Sequence, residues 1–344
     1  MLEKRKGYPG MKKKLLSLFL MITIVLSCIV VLPGCEKEEI KPHDGVVLYQ
    51  LGPDDKMLMM GYVIKTSGNK YIVIDGGGVG KKSSGYLLEA LQDITGQEFP
   101  EIEAWFLTHL HDDHVTEFCL ITDFYNAKYG DIKINNVYFN LPSKEFMNNS
   151  EGGKYAYLHD DVRVSFDKVM GKGEFEKING KNVFEGDIIE IDDVKIEVLM
   201  TVTDEEKETN INDTSLILRM TVADQTVLFL ADAYLGESSR LVEKYGNNLK
   251  SDIVQMAHHG QQGITEEAYK LIDPTLCLWP SPAWVFNNTS GTLKTFNDRQ
   301  WMMDMGVKYH IVSGLDLTQF LNMPVDFSTL EERDITPPKQ NNEE

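Results

Sequence analysis

Cysteine is scarce in this 344-residue chain. There are four, at positions 28, 35, 119 and 277, too few for a scaffold built on disulfides. Positive charge is scarce too: 34 Lys and Arg face 53 Asp and Glu, a formal charge of −19. So acidic a surface is a poor general binder of long nucleic acid, because phosphate binding relies on Lys and Arg displacing counterions. No Gly-x-Ser-x-Gly elbow is present, so no serine nucleophile of that type is indicated. No internal stretch is rich enough in Pro, Gly or Ser to mark a boundary between domains. A hydrophobic fraction of 42% excludes wholesale disorder and is enough for one large core.

The long apolar run that does exist lies at the start. "MKKKLLSLFLMITIVLSCIVVLPGC", residues 11–35, has a basic head, an apolar centre and small residues before Cys35. This is the layout of a secretion signal. The run from Leu15 to Leu32 is also just long enough for a transmembrane anchor. The ending "LPGC" resembles a bacterial lipobox, which implies cleavage before Cys35 and a lipid on that cysteine. The expected mature chain then begins at Cys35 and sits on the outer face of the cytoplasmic membrane. Losing residues 1–34 removes six Lys/Arg and one Glu, leaving 28 basic and 52 acidic side chains and a charge of −24. Such a body does not adsorb to anionic lipid by charge, so the lipid must hold it. Residues 36–44 read as a tether, and 331–344 as a disordered tail. Cys119 and Cys277 sit in apolar stretches and are either one disulfide or two buried thiols.

Between tether and tail, strand patterns alternate with helical ones. "GVVLYQL", "MGYVIKT", "KYIVIDGG", "IEAWFLTH" and "KINNVYFNL" read as strands, with helices expected over 82–95, 115–125 and 153–171. The second half repeats this order. "VKIEVLM", "SLILRMTV", "QTVLFLAD", "DIVQMAHHG", "TLCLWP", "GVKYHIVSG" and "LTQFL" read as strands, with helices at 236–246 and 265–272. Two halves of this kind predict an α/β domain over residues 45–330, with two sheets face to face and helices outside.

One stretch carries chemistry. "THLHDDH", Thr108–His114, follows an apolar strand and holds three of the chain's eight histidines. His109, His111, Asp113 and His114 are of metal-ligand type, suited to zinc, manganese or iron. A divalent cation would make so crowded a cluster favourable. Asp232 leaves the strand "VLFLADA", and His258 and His259 leave "DIVQMAHHG". Three strands thus end in ligand types, and three strand ends at one sheet edge can form a metal pocket.

Together these pieces resemble the metallo-β-lactamase superfamily. "HLHDDH" is similar to its His-x-His-x-Asp-His signature, and "IDGG" (Ile74–Gly77), "FLADA" and "AHHG" to its flanking motifs. The spacing from Asp232 to "AHHG" is most similar to the hydrolase domain of ComEC-type DNA-uptake proteins. The resemblance spans roughly residues 46–285. It implies an αββα four-layer sandwich with two divalent ions, zinc or alternatively manganese, at its rim. His109 and His111 would hold the first ion. Asp113 and His114 would hold the second with one of the "HHG" pair, His258 preferred, and Asp232 would bridge. Asp75 would fix the histidine loop from behind, and Gly76 and Gly77 would allow a tight turn beside it.

Two departures stand out. The histidine usual between signature and bridging aspartate is missing. His159 suits a helix surface better, and Asn210, Asn212 or Asp213 in "TNINDTS" are the alternative oxygen donors. Val115 and Thr116 replace small residues and are expected to narrow the pocket.

The implied chemistry is hydrolysis. Two divalent ions acidify a water and stabilise charge developing on oxygen. Asp113 would orient the resulting hydroxide, and His259, as the spare histidine, would protonate a leaving group. A phosphodiester in a small or surface-exposed substrate leads. A lactone, thioester or β-lactam on the same fold, or a non-enzymatic binding protein stabilised by metal, are the alternatives. "GGGVGKK" is not a P-loop, because Asp75 occupies the required first glycine and Lys82 the Ser/Thr position. His310 reads as a structural histidine. Trp279, Trp284 and Trp301 read as core, with a cleft wall as the second reading.

Overall fold

The computed structural model describes residues 41–52, 57–78, 85–125, 132–202, 210–289, 291–316 and 319–337. The expected signal segment, residues 1–35, lies outside the described residues, as does most of the tether. Among those described, no helix is long and apolar enough to cross a membrane.

In chain order the strands are β1 (Val47–Gln50), β2 (Gly61–Lys65), β3 (Tyr71–Asp75), β4 (Glu101–Ile102), β5 (Ala104–Leu107), β6 (Lys133–Ile134), β7 (Val137–Phe139), β8 (Ile188–Ile191), β9 (Val194–Met200), β10 (Ile217–Val222), β11 (Gln225–Phe229), β12 (Ile253–Gln255), β13 (Leu276–Trp279), β14 (Tyr309–Val312) and β15 (Gln319–Asn322). Six form one sheet in the order β15-β1-β2-β3-β5-β7. Seven form another in the order β14-β13-β12-β11-β10-β9-β8. Each sheet is antiparallel on one side and parallel on the other. The parallel neighbours are β3, β5 and β7 in the first, and β11 to β14 in the second. The single strand expected over "KINNVYFNL" divides into β6 and β7, and β6 pairs with β4 in a separate two-stranded sheet, while β8 carried no clear sequence signal. Strand β15 pairs with β1, so the last strand closes against the first.

Alternation along the strands sorts side chains into layers. Leu48, Tyr62, Ile64, Ile72, Ile74 and Phe106 of the first sheet share one core with Ile196, Leu218, Met220, Val227, Phe229 and Leu276 of the second. The two sheets therefore pack face to face, with Tyr62 edge-on to Phe229 at 5.1 Å. The opposite face of the first sheet, with Val73, Trp105 and Leu107, packs against the helices Tyr86–Thr95, Asp112–Cys119 and Ala156–Met170. The opposite face of the second, with Leu228, Val254 and Cys277, packs against Leu235–Tyr245, Glu266–Ile272 and Thr295–Asp304. The result is an αββα four-layer sandwich. Burial on both faces explains why the central strands read as unbroken apolar runs.

Cys119 and Cys277 are both free. They lie in opposite outer layers, which settles the open choice in favour of two thiols. The expected tail is bound at least as far as Thr336. Arg299 donates to the carbonyls of Ile335 and Thr336, Ile335 is buried, and Arg333 pairs with Asp316. Residues 338–344 lie outside the described residues.

Candidate metal centre

The carboxyl ends of the parallel strands of both sheets meet at one rim, where open α/β sheets commonly place ligands. Strand β3 ends in Asp75. Past the ends of their strands lie His109 (β5), Asp232 (β11) and His259 (β12). The rim is tied across the sheets by the Leu216 amide, which donates to the Thr108 carbonyl at 2.9 Å. His111 caps the helix Asp112–Cys119, so Asp113 and His114 project from its first turn. Above them passes the turn after β3. Gly77 has φ +92°, and a Cβ on Gly78 would lie 2.8 Å from Asp113 Cα. A backbone this close admits only glycine.

Two groups of ligand-type side chains result. Asp113, His114, Asp232 and His259 each offer one atom within 4.8 Å of the others, and so do His109, His111 and Asp232. Asp232 belongs to both. His109, His114 and His259 side chains are 0% exposed, while His111 (12%) and Asp113 (16%) reach solvent. The open side is therefore the His111–Asp113 side.

The outer nitrogens of the rings show which inner nitrogens are bare. His259 Nδ1 lies 2.7 Å from the Pro280 carbonyl, which can only accept, so Nδ1 carries the hydrogen. His114 Nδ1 donates to Asp75 Oδ2 at 2.7 Å. Asp75 also accepts from the Thr108 amide and hydroxyl. With its hydrogen given to Asp75, the Thr108 oxygen accepts from His109 Nδ1 at 3.1 Å. All three rings thus turn Nε2 inward. His114 Nε2 faces Asp232 Oδ1 at 3.2 Å, and His259 Nε2 faces Asp113 Oδ2 at 3.1 Å. Among the described residues, neither nitrogen, nor Asp232 Oδ1, has a hydrogen-bond partner.

Bare imidazole nitrogens and carboxylate oxygens at such distances repel unless positive charge lies among them. In the protein alone that charge can come only from protons. Burial opposes a proton on His114 and His259, but Asp232, with Asp75 for the first and Asp113 for the second, outweighs it and raises both. Burial also opposes ionisation of Asp232, yet His114 and His259 hold its carboxyl well below the usual range. Burial and the neighbouring His114 push His109 well below its ordinary value. The donor set, the inward nitrogens and the orphaned atoms fit divalent cations with N and O ligands.

No protein-family model and no curated protein sequence matches the chain. Solved structures align with it. YhfI from Bacillus subtilis, a metallo-β-lactamase fold protein, aligns at 13% identity and TM-score 0.45, covering 78% of this chain and 96% of that one. CmlA from Streptomyces venezuelae, a diiron β-hydroxylase, aligns at 13% identity and TM-score 0.45 over 83% of this chain; the chain spans 55% of that enzyme. Zn2+-bound PqqB from Methylobacterium extorquens aligns at 9% identity and TM-score 0.41, covering 81% and 100%. The fold of this chain is the αββα four-layer sandwich described above.

Within this sandwich the placement corrects several expectations. His259, not His258, enters the cluster. Both residues are left-handed, with φ +51° and +55°, and this double turn swings the second imidazole inward. His258 stays outside, its Nε2 3.4 Å from Asn212 Nδ2. His159 lies in a helix with its ring against Phe175 at 5.5 Å, away from the cluster. Asp213 is engaged elsewhere, accepting from the amides of Gly236, Glu237 and Asn210's side chain. Val115 points into the outer core, and Thr116 donates to the Asp112 carbonyl, so neither narrows the site. Trp279 is core, donating to His310 Nδ1 at 3.2 Å. His310 also meets the Val307 carbonyl, and burial holds it down to about 4. Trp301 packs on Tyr269, while Trp284 is exposed.

Sequence reading passed over Gln255 and Glu151. Gln255 is buried and accepts from the Leu230 and Ala231 amides, which fixes the exit that carries Asp232. A lone polar residue inside "DIVQMA" was its only signal. Glu151 faces His111 Nε2 at 3.3 Å.

Behind the "HHG" turn, Asp298 is fully buried and accepts from the Gln262 amide at 3.2 Å. Burial pushes its carboxyl up to about 8. The folded state therefore keeps a proton that the unfolded chain loses near the ordinary carboxylate value, and stability falls as pH rises between the two. Asp298→Asn keeps an acceptor and cannot ionise. Its melting temperature relative to wild type is expected to be higher at pH 9 than at pH 5.5. An equal difference at both pH values would contradict this.

Proposed function

We propose that this chain is a metal-dependent hydrolase, exported and held on the outer face of the cytoplasmic membrane by a lipid on Cys35, acting on a phosphodiester of a small or surface-exposed substrate. One observation carries the hydrolytic reading: two groups of inward-facing ligand atoms share Asp232 at the open rim of the sandwich. His109, His111 and Asp232 would hold one divalent cation, and Asp113, His114, Asp232 and His259 the other. Zinc suits this N/O set, with manganese as the alternative. Three protein donors in the first group leave a position for water and substrate.

When bound, the pair supplies an acidified water and stabilises charge developing on oxygen. The chain's residues do the rest. Asp75 and Pro280 fix the rings of His114 and His259. Asp113, on the open side, orients the attacking water through its carboxylate. His258, outside the cluster beside Asn212, is placed to give a proton to a leaving oxygen, the role expected of His259. The motif order, most similar to ComEC-type hydrolases, supports the phosphodiester. The charge of −24 expected of the mature chain supports a small substrate over a long nucleic acid. The lipobox-like "LPGC" supports export.

Paired variants test this. His259→Ala is expected to lower metal content and turnover together. His258→Ala is expected to keep the full metal content and to lower hydrolysis of a dinucleotide, whose alkoxide leaving group needs a proton, by ~10²-fold or more, within the usual range for a lost acid catalyst, while sparing bis(p-nitrophenyl) phosphate, whose leaving group does not. If His258→Ala loses metal and His259→Ala keeps it, the assignment of the pair is reversed and the proposal fails.

A further inference from the structure

We propose that Glu151 is a positioning residue for His111, fixing the nitrogen that His111 offers to the first cation and so setting the affinity of that half-site alone. The inference rests on the metal reading above.

His109, His114 and His259 all turn Nε2 inward. His111 is reversed. Its Nδ1 lies 3.1 Å from His109 Nε2, on the cluster side of the ring. Its Nε2 points outward, 3.3 Å from Glu151 Oε1. A carboxylate only accepts, so Nε2 carries the hydrogen and Nδ1 of the neutral ring is bare. Without Glu151, nothing else described at that edge selects this tautomer.

Glu151 is itself held in place. Its backbone is left-handed, φ +48° and ψ +34°, next to Gly152 and Gly153, which are also at positive φ. A glutamate in this conformation is uncommon and is kept only where its surroundings demand it. Its Oε1 accepts from the Ile211 amide at 3.4 Å. Tyr155 covers the other side of His111, with ring centroids 4.6 Å apart. The carboxylate therefore spans from the turn at 150–153 to the segment before β10, with His111 between. Its relation to His111 parallels that of Asp75 to His114. The difference is exposure: Asp75 is buried, whereas the Glu151 side chain is 33% exposed. This is the adjustable half-site.

Among the described residues, no fourth ligand replaces the histidine that the sequence lacks between signature and bridging aspartate. Glu151 does not join either ligand group. It acts one bond network further out, where loss of such a partner commonly costs ~10–100-fold in metal affinity.

The test is zinc binding to the full chain by competition with a chromophoric chelator, repeated with Co2+ to read each site's absorption. Wild type is expected to take up two ions. Glu151→Ala is expected to weaken one of them ~10–100-fold, leave the other unchanged and alter one set of cobalt bands. Glu151→Gln keeps an accepting oxygen and is expected to restore most of the loss. Two wild-type affinities in Glu151→Ala would overturn the proposal while leaving the metal reading intact. Equal weakening of both sites would overturn it as a local effect. No uptake by wild type would overturn the metal reading, and this proposal with it.

Discussion

Asp232→Asn is expected to empty both half-sites and to lower turnover by roughly a thousand-fold or more. Asp232 is the one residue common to both ligand groups. It is almost fully buried and faces His109, His114 and His259 within 3.9, 3.2 and 3.6 Å. Asparagine matches it in size but lacks the charge that balances two cations. Metal ions contribute several kcal/mol to stabilising a charged transition state, and each 1.36 kcal/mol is tenfold in rate. Asp75→Asn is the informative contrast, since Asp75 belongs to neither ligand group and acts only at second hand, on His114 directly and on His109 through Thr108. Elemental analysis and phosphodiester turnover of the purified variants check this. Wild-type metal content in Asp232→Asn would remove the bridge from the account.

The second large effect is on stability. Stripping the ions with a chelator is expected to lower the melting temperature on the order of 10 °C. An ion at a hundred times its Kd adds ~2.7 kcal/mol, and two such sites add about twice that. For a domain of this size each kcal/mol moves the midpoint by ~2 °C or slightly more. The sign follows from the geometry. Asp113 and Asp232 crowd bare imidazole nitrogens in the buried rim, and without cations only protons relieve them. Returning zinc should restore the midpoint. Differential scanning fluorimetry before chelation, after it, and after zinc return reads this directly. A midpoint indifferent to all three would show that the cluster binds nothing of consequence.

The layered fold and most of the cluster were legible from the sequence because each rests on a local pattern. Doubly buried strands are continuous apolar runs, and "HLHDDH" places three ligand types within one turn of a helix start. Asp75 was legible through its glycines. The choice between His258 and His259 was not. It depends on two consecutive left-handed residues, which no side-chain pattern encodes, and the natural expectation that the first residue past the strand points inward failed. Asp213 has the right chemistry and lies nearby, but the amides at the start of the helix Leu235–Tyr245 take its oxygens. Glu151 was invisible because its partner lies forty residues away and its turn, "SEGG", reads as an ordinary loop. The break that divides "KINNVYFNL" into β6 and β7 was not legible, and β8 fell below any useful periodicity.

The most direct test of the central claim is the metal content of the full chain after incubation with zinc or manganese and exhaustive dialysis. The structure predicts two ions per chain for wild type, falling to one or fewer in His259→Ala. No ion retained under either metal would contradict a hydrolytic metal centre, and the inward-facing nitrogens of His109, His114 and His259 would then need another explanation.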